Sequence, residues 1–229
     1  MNGNKAPTGT SCVIIGNGSS LDLIDQSFWA KIKADPETLL IGTNRVLCFK
    51  SFQDVIFDTV VIRDSYRSLW LDQKWGAEYH LNYWKKTPEE TWTVGNGSSA
   101  LTRCTHVDQF VTFKPGFQSE IVHSDKMMCV ATNPSVVIMA MNYAYLMGCK
   151  NQYLVGVDYC GKHAEMVKPY NNQDTGWSGL YQQPVPKKIE DAFRVTREAI
   201  KAGGGSVFNI SPKTKLRSIA KRKWENVYK

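Results

Sequence analysis

Three groups of residues in this chain have the types and spacing of a ligand site. The first is the turn Gly16-Asn17-Gly18-Ser19-Ser20, which ends the apolar run Val13-Ile14-Ile15 and leads into an amphipathic segment. Glycines let the main chain come close to a ligand, and N–H groups at a helix start favour an anion. The turn is neither Gly-x-Gly-x-x-Gly nor a phosphate loop closing on Gly-Lys-Ser/Thr. It points to the phosphate of a nucleotide or nucleotide sugar, and it equally suits a tight strand-to-helix turn with Ser19 or Ser20 as N-cap. The second group comprises polar residues at the ends of other apolar runs: Thr43 and Asn44, Arg63 and Asp64, Asn133 and Ser135, Asp158 and Tyr159. Asparagine offers both donor and acceptor, as a ribose hydroxyl or a pyrimidine edge requires. Taken singly, Asn44 suits a left-handed turn, and Asp64 and Asp158 suit helix caps. Taken together, a polar residue after nearly every apolar run indicates one shared site. The third group is His163 with Asp158, five residues before it. An imidazole with an unperturbed pKa near about 6.5 suits a general base that takes a proton from an acceptor hydroxyl. Tyr159, Lys162 and Glu165 are neighbouring substitutes. Asp64 and Asp158 would alternatively hold magnesium over phosphates, since hard oxygen ligands suit that ion.

These residues converge only if the right elements carry them. Ser11 to Ile15 reads as a strand and Leu21 to Lys33 as a helix. Leu39 to Gly42 and Asp58 to Ile62 read as further strands, with nearly continuous apolar runs of the kind buried on both faces of a parallel sheet. Asn133-Pro134 supplies an N-cap and a first-turn proline for an apolar helix over Ser135 to Met147, with Gly148 as its stop. Gln152 to Val157 is a strand, Lys187 to Ala202 an amphipathic helix, and Ser206 to Ile210 a closing strand before a basic C-terminal helix. This alternation predicts an α/β fold, a Rossmann-like doubly wound, mostly parallel sheet flanked by helices. In such a sheet the loops beyond the strand carboxyl ends gather at one edge. The chain reads as a single domain, 1–229. The aromatic-rich stretch 70–126 is an irregular insertion, with a strand at 106–114, that suits a lid, an acceptor surface or plain core packing. A second Gly-Asn-Gly-Ser-Ser at 95–99 has unlike flanks and reads as a loop.

Composition narrows the classes. At 229 residues and 42% hydrophobic content the chain can bury a core, and no apolar run approaches the ~18 residues of a membrane helix. Residues 1–11 lack the apolar centre of a signal peptide, so a cytoplasmic protein is expected. Six scattered cysteines form no Cys-x-x-Cys and no zinc spacing, which fits free thiols in a reducing compartment. The net charge of +7 is partly local, from Lys213, Lys215, Arg217, Lys221, Arg222 and Lys223. Such a cluster serves a polyanionic partner (an acidic glycan, a modified nucleic acid) or simply a solvated helix face. The oligomeric state leaves no mark in the sequence.

The segment Val13 to Leu21 resembles the nucleotide-binding turn of a small family of bacterial sialyltransferases, which use a cytidine monophosphate donor. It is similar as well to the related family that includes archaeal 6-hydroxymethylpterin pyrophosphokinase. Ile41-Gly42-Thr43-Asn44 looks like their second motif. The helix from Ser135 to Gly148, then Lys150 to Tyr159, is the longest match, and Phe208-Asn209-Ile210-Ser211-Pro212 resembles their closing strand. The resemblance implies a glycosyltransferase that uses a nucleotide-sugar donor and needs no cofactor. Its alternatives are a magnesium-dependent pyrophosphokinase and a non-catalytic nucleotide or nucleic-acid binder. The chain departs from the sialyltransferases at Arg63-Asp64, where they carry a nucleotide-binding asparagine. It also has no histidine over Gln182 to Lys188, where their catalytic base lies. His163 fills that role here by inference from this sequence alone.

Overall fold

The computed structural model describes residues 11–43, 46, 49–52, 57–61, 92–93, 109–115, 123–124, 127–132, 135–161, 163–165 and 184–227. In chain order the strands are β1 (Ser11–Ile15), β2 (Thr38–Thr43), β3 (Thr59–Val61), β4 (Trp92–Thr93), β5 (Gln109–Pro115), β6 (His123–Ser124), β7 (Met127–Thr132), β8 (Asn151–Val155), β9 (Ser206–Asn209) and β10 (Ala220–Lys221). The helices are α1 (Gln26–Ala34), α2 (Val136–Leu146) and α3 (Lys187–Ala202).

Six strands form one sheet in the order β10-β9-β8-β1-β2-β3, and every pairing in it is parallel. The apolar run of β1 explains why it sits in the middle. Cys12 and Ile14 pack on one face with α2, Phe193 and Ile200, while Val13 and Ile15 pack on the other with Phe28, Trp29 and Ile32 of α1. All four are fully buried, so this strand must be covered on both sides. The expected α/β, Rossmann-like sheet with helices on both faces is what the chain forms. A second sheet, β4-β5-β7-β6, has three parallel strands and β6 antiparallel to β7. It draws on the aromatic-rich stretch, where the sequence suggests one strand. The rest of 70–126, including the second Gly-Asn-Gly-Ser-Ser, lies outside the described residues.

Several element ends differ from the sequence expectation, each for a local reason. After the glycine turn comes a short 3-10 segment, Ser19–Leu23, and α1 starts only at Gln26. Asp25 caps it by accepting a hydrogen bond from the Ser27 amide at 2.7 Å, so neither Ser19 nor Ser20 is the cap of α1. In α2 the cap is Ser135, whose hydroxyl accepts from Val137 N, rather than Asn133. Asn133 lies outside the described residues. The bounds of α3 are those the periodicity gives. The basic C-terminal stretch is no helix: 211–219 is irregular, followed by β10 and a 3-10 turn at Trp224–Asn226. Pro212 lacks an N–H, and the amides of Leu216, Arg217 and Ser218 donate to Thr214 Oγ1 and the Glu190 carboxylate. Side-chain acceptors thus take bonds that helix carbonyls would receive.

Gly16 shows how tightly the strand ends fit. A Cβ there would lie 2.5 Å from the Gly156 carbonyl oxygen. Gly16→Ala is expected to lower stability by about 1–3 kcal/mol, the usual cost of overpacking. Urea unfolding measures this, and an unchanged midpoint would show that the two turns are not in contact.

Candidate functional site

The strand order reverses between β1 and β8, so a crevice for a ligand is expected beyond their carboxyl ends. Two turns meet there. The amides of Gly16 and Gly18 donate to the Val155 and Gly156 carbonyls, both at 2.7 Å. Ser20 N donates to Asp158 Oδ2 at 2.8 Å. A Cβ on Gly18 would stand 2.4 Å from Asp158 Oδ2, and one on Gly156, which has φ +67°, would meet Leu21 at 2.8 Å. These glycines bring the two turns together. The sequence predicts that the turn presents its amides to a phosphate, but those of Gly16, Gly18 and Ser20 are occupied by protein acceptors. Ser20 is fully buried, and its hydroxyl accepts from Lys213 N at 3.0 Å, so it ties the turn to the loop after β9.

Asp158 is the unusual group. It is 2% exposed, one carboxylate oxygen is held by Ser20, and Oδ1 has no partner among the described residues. The Asn17 amide oxygen is also buried without a partner among the described residues. Burial pushes the Asp158 carboxyl above its ordinary range. The hydrogen bonds from Ser20 and the Lys213 ammonium pull it down, and Asp22 adds a smaller push upward. Five buried side-chain polar atoms lack a partner among the described residues, and two of them, Asp158 Oδ1 and Asn17 Oδ1, are acceptors beside the topological switch point, where donors of a ligand would relieve a costly arrangement.

The loop after β9 holds this arrangement from the far side. Val157 N donates to Ser211 Oγ at 2.9 Å, and Lys215 N donates to the Asp158 carbonyl at 2.8 Å. Asn209 Nδ2 donates to the Val157 carbonyl at 3.1 Å and to Thr214 Oγ1 at 2.9 Å, while Asn209 Oδ1 accepts from Ser211 N. Sequence reasoning did not single out Asn209, Ser211 and Thr214 as site builders. For Ser211 and Thr214 the signal was present, since they too are polar residues just beyond an apolar strand; Asn209 is the last residue of β9 itself.

His163 arrives beside the glycine turn. It forms an antiparallel bridge with Gly18, and its Nδ1 donates to the Asn17 carbonyl at 3.1 Å. The next two residues fix the segment, since Ala164 N donates to the Asn17 carbonyl and Glu165 N to the Asp22 carboxylate. Glu165 in turn pairs with Lys50. Tyr159, at φ +51°, is a non-glycine residue in the left-handed region and sets its ring edge-on against Phe193. Such strain persists where surrounding contacts enforce it, often at functional sites. Ser19 is half-buried near Gly161. Thr43 is buried and donates to the Ile15 carbonyl at 2.7 Å, so its hydroxyl closes the end of β1. Ser135 serves α2 as its cap. Asn44, Arg63, Asp64, Asn133 and Lys162 lie outside the described residues. Among the described residues no three His, Cys, Asp or Glu side chains are grouped to hold a metal ion, and no helix is long and apolar enough to cross a membrane.

No family model matches the sequence, and no curated protein does. Among solved structures, the MAf glycosyltransferase from Magnetospirillum magneticum AMB-1 is similar in fold, with a TM-score of 0.58 at 16% identity over 96% of this chain. The chain spans about a third of that protein's length, 34%.

The buried carboxyl makes a pH prediction. Because its folded pKa is raised, the folded state binds this proton more tightly than the unfolded state does. Its contribution is therefore most favourable below the unfolded value of about 4, falls as pH rises to the folded value, and stays low beyond it. Asp158→Asn keeps an acceptor for Ser20 and removes the charge. It is expected to stabilise the fold at pH 7 by on the order of 1 kcal/mol, a Tm rise of a few degrees, and to flatten the descending limb relative to wild type. Calorimetry between pH 4 and 7 checks this, and a lower Tm at pH 7 would contradict a destabilising, half-satisfied carboxyl at this position.

Proposed function

We propose that this chain is a transferase for a nucleotide-linked donor, moving a sugar from a nucleotide sugar to an acceptor hydroxyl. The observation that carries the reading is the buried Asp158 Oδ1, without a partner among the described residues at the reversal point of a parallel sheet. The fold likeness to a glycosyltransferase supports it. In this reading Asp158 and Asn17 accept hydrogen bonds from ribose hydroxyls or a base amine. The Asn17 amide, which has no hydrogen bond among the described residues, faces the phosphate in this reading. Transfer breaks the bond between the sugar carbon and the phosphate oxygen, and the electron pair stays on that oxygen. The acceptor oxygen bonds to the sugar carbon and yields its proton to His163. With Nδ1–H donated to the Asn17 carbonyl, the basic lone pair belongs to Nε2. Positioning and charge stabilisation do most of the work, because the leaving group is already a phosphate ester. The basic balance of the chain fits an acidic acceptor, a glycan or a modified nucleic acid. The magnesium-dependent pyrophosphokinase reading needs Asp64 and draws no support from the described residues.

A thermal-shift panel of nucleotides and nucleotide sugars tests this. At ligand concentrations near 100 times Kd, a true ligand adds about 2.7 kcal/mol to stability, a shift of several degrees. Asp158→Ala should abolish the shift. His163→Ala should keep it and lower turnover by about 10²–10⁴-fold. If no nucleotide or nucleotide sugar moves the wild-type Tm, the donor reading fails.

A further inference from the structure

Several cations of the described chain are committed elsewhere. Lys50 pairs with Glu165, Arg194 with Asp191, and Arg197 with Glu198. The Lys221 ammonium donates to the Pro212 carbonyl at 2.7 Å, and the Arg222 guanidinium lies 4.5 Å over the Phe208 ring. Lys213 is different. Its main chain is fixed at the crevice by two bonds, N–H to the buried Ser20 hydroxyl and carbonyl from the Cys160 thiol at 3.1 Å. Its side chain is exposed and makes no ion pair among the described residues. Even so, its charge reaches into the site, where it pulls down the carboxyls of both Asp158 and Asp22. Lys215, also exposed, is rooted two residues on through its amide to the Asp158 carbonyl and acts with Lys213 on the Cys160 thiol.

The crevice thus has two poles. One is buried and offers two acceptors, Asp158 Oδ1 and Asn17 Oδ1, that have no partner among the described residues. The other is cationic and solvent-facing, on a backbone pinned to the first. A ligand that matches both carries hydroxyl or amine donors at one end and an anion at the other, which is the chemistry of a nucleoside phosphate. We infer that Lys213, with Lys215 behind it, binds the donor phosphate and stabilises the negative charge that grows on its oxygen as the sugar departs. This rests on the nucleotide-donor reading and assigns the charge compensation within it to a named residue. Lys213 gives up no proton in the step. Its role is electrostatic, and it counters the repulsion that Asp22 and Asp158 would otherwise exert on a phosphate.

The test compares wild type, Lys213→Met, Lys213→Arg and Lys223→Met by calorimetry with cytidine 5′-monophosphate and uridine 5′-diphosphate, and with the nucleosides cytidine and uridine. Lys213→Met should weaken binding of whichever nucleotide the wild type takes by about tenfold or more, as loss of a charge-assisted bond does, and leave the nucleoside unchanged. Its salt dependence should be shallower. Lys213→Arg should restore affinity to within about threefold of wild type, and the distant control Lys223→Met should match wild type. Equal nucleotide affinity in wild type and Lys213→Met overturns this inference and leaves the donor reading standing. An equal loss for nucleotide and nucleoside, or no rescue by arginine, makes Lys213 structural and overturns it as well. If the wild type binds neither nucleotides nor nucleosides, the donor reading fails and the inference fails with it.

Discussion

The site depends on how closely two turns can approach each other. The turn after β1 and the turn after β8 share three hydrogen bonds, from Gly16 to Val155, Gly18 to Gly156 and Ser20 to Asp158. No side chain larger than hydrogen fits between them at positions 16, 18 or 156. A glycine-rich segment at the first strand end is usually read as room for a ligand. Here the room is taken by the neighbouring strand's own turn, and the consequence for a ligand is indirect. By closing on each other the turns drive Asp158 into the protein interior and fix the direction of its carboxylate.

That placement carries an energetic penalty that the fold only partly offsets. A buried carboxylate wants several donors, and this one has the Ser20 amide and a distant ammonium. Trp29 Nε1, Gln152 Oε1 and Ser218 Oγ are also buried without a partner among the described residues, but none of them is a carboxylate, and other buried polar groups are well served. Thr43 and Asn142 donate to backbone carbonyls, and Asn209 makes bonds through both ends of its amide. The same chain that satisfies Asn209 so thoroughly leaves Asp158 short at a distance of one turn. A local conflict of this kind amid general consistency marks positions kept for something other than stability.

Much of this was legible in the sequence, and the reasons separate cleanly. The sheet announced itself because β1 and β2 are apolar without alternation, which only a strand covered on both faces tolerates. The bounds of α3 were readable because its apolar positions keep strict three-four spacing and Gly203-Gly204-Gly205 cannot continue a helix. The rule that strand ends gather polar residues located Asn17, Asp158 and His163 near one another. What could not be read was how their groups are used. Ser20 looks like a cap or a phosphate ligand until the partner of its amide is known, and that partner lies 138 residues away. The basic C-terminus reads as a helix in the sequence, but Glu190 of α3 captures the amides of Arg217 and Ser218. Both misreadings have one origin: a distant acceptor outcompetes the local one.

The same long range explains why the last strand matters more to the site than its modest resemblance signal suggests. Ser20 and Lys213 stand 193 residues apart, and their bond cannot form until β9 has added to β8. Closing so long a loop costs entropy before its contacts return any, so the crevice belongs to the late-forming part of the sheet. The bonds that recover that cost, Ser211 to Val157, Asn209 to Val157 and Lys215 to Asp158, all fall on the three residues that follow β8. Closure of the sheet and orientation of Asp158 are therefore one event. A chain that has docked β9 has, by the same contacts, aimed its buried carboxylate and brought Lys213 to the rim.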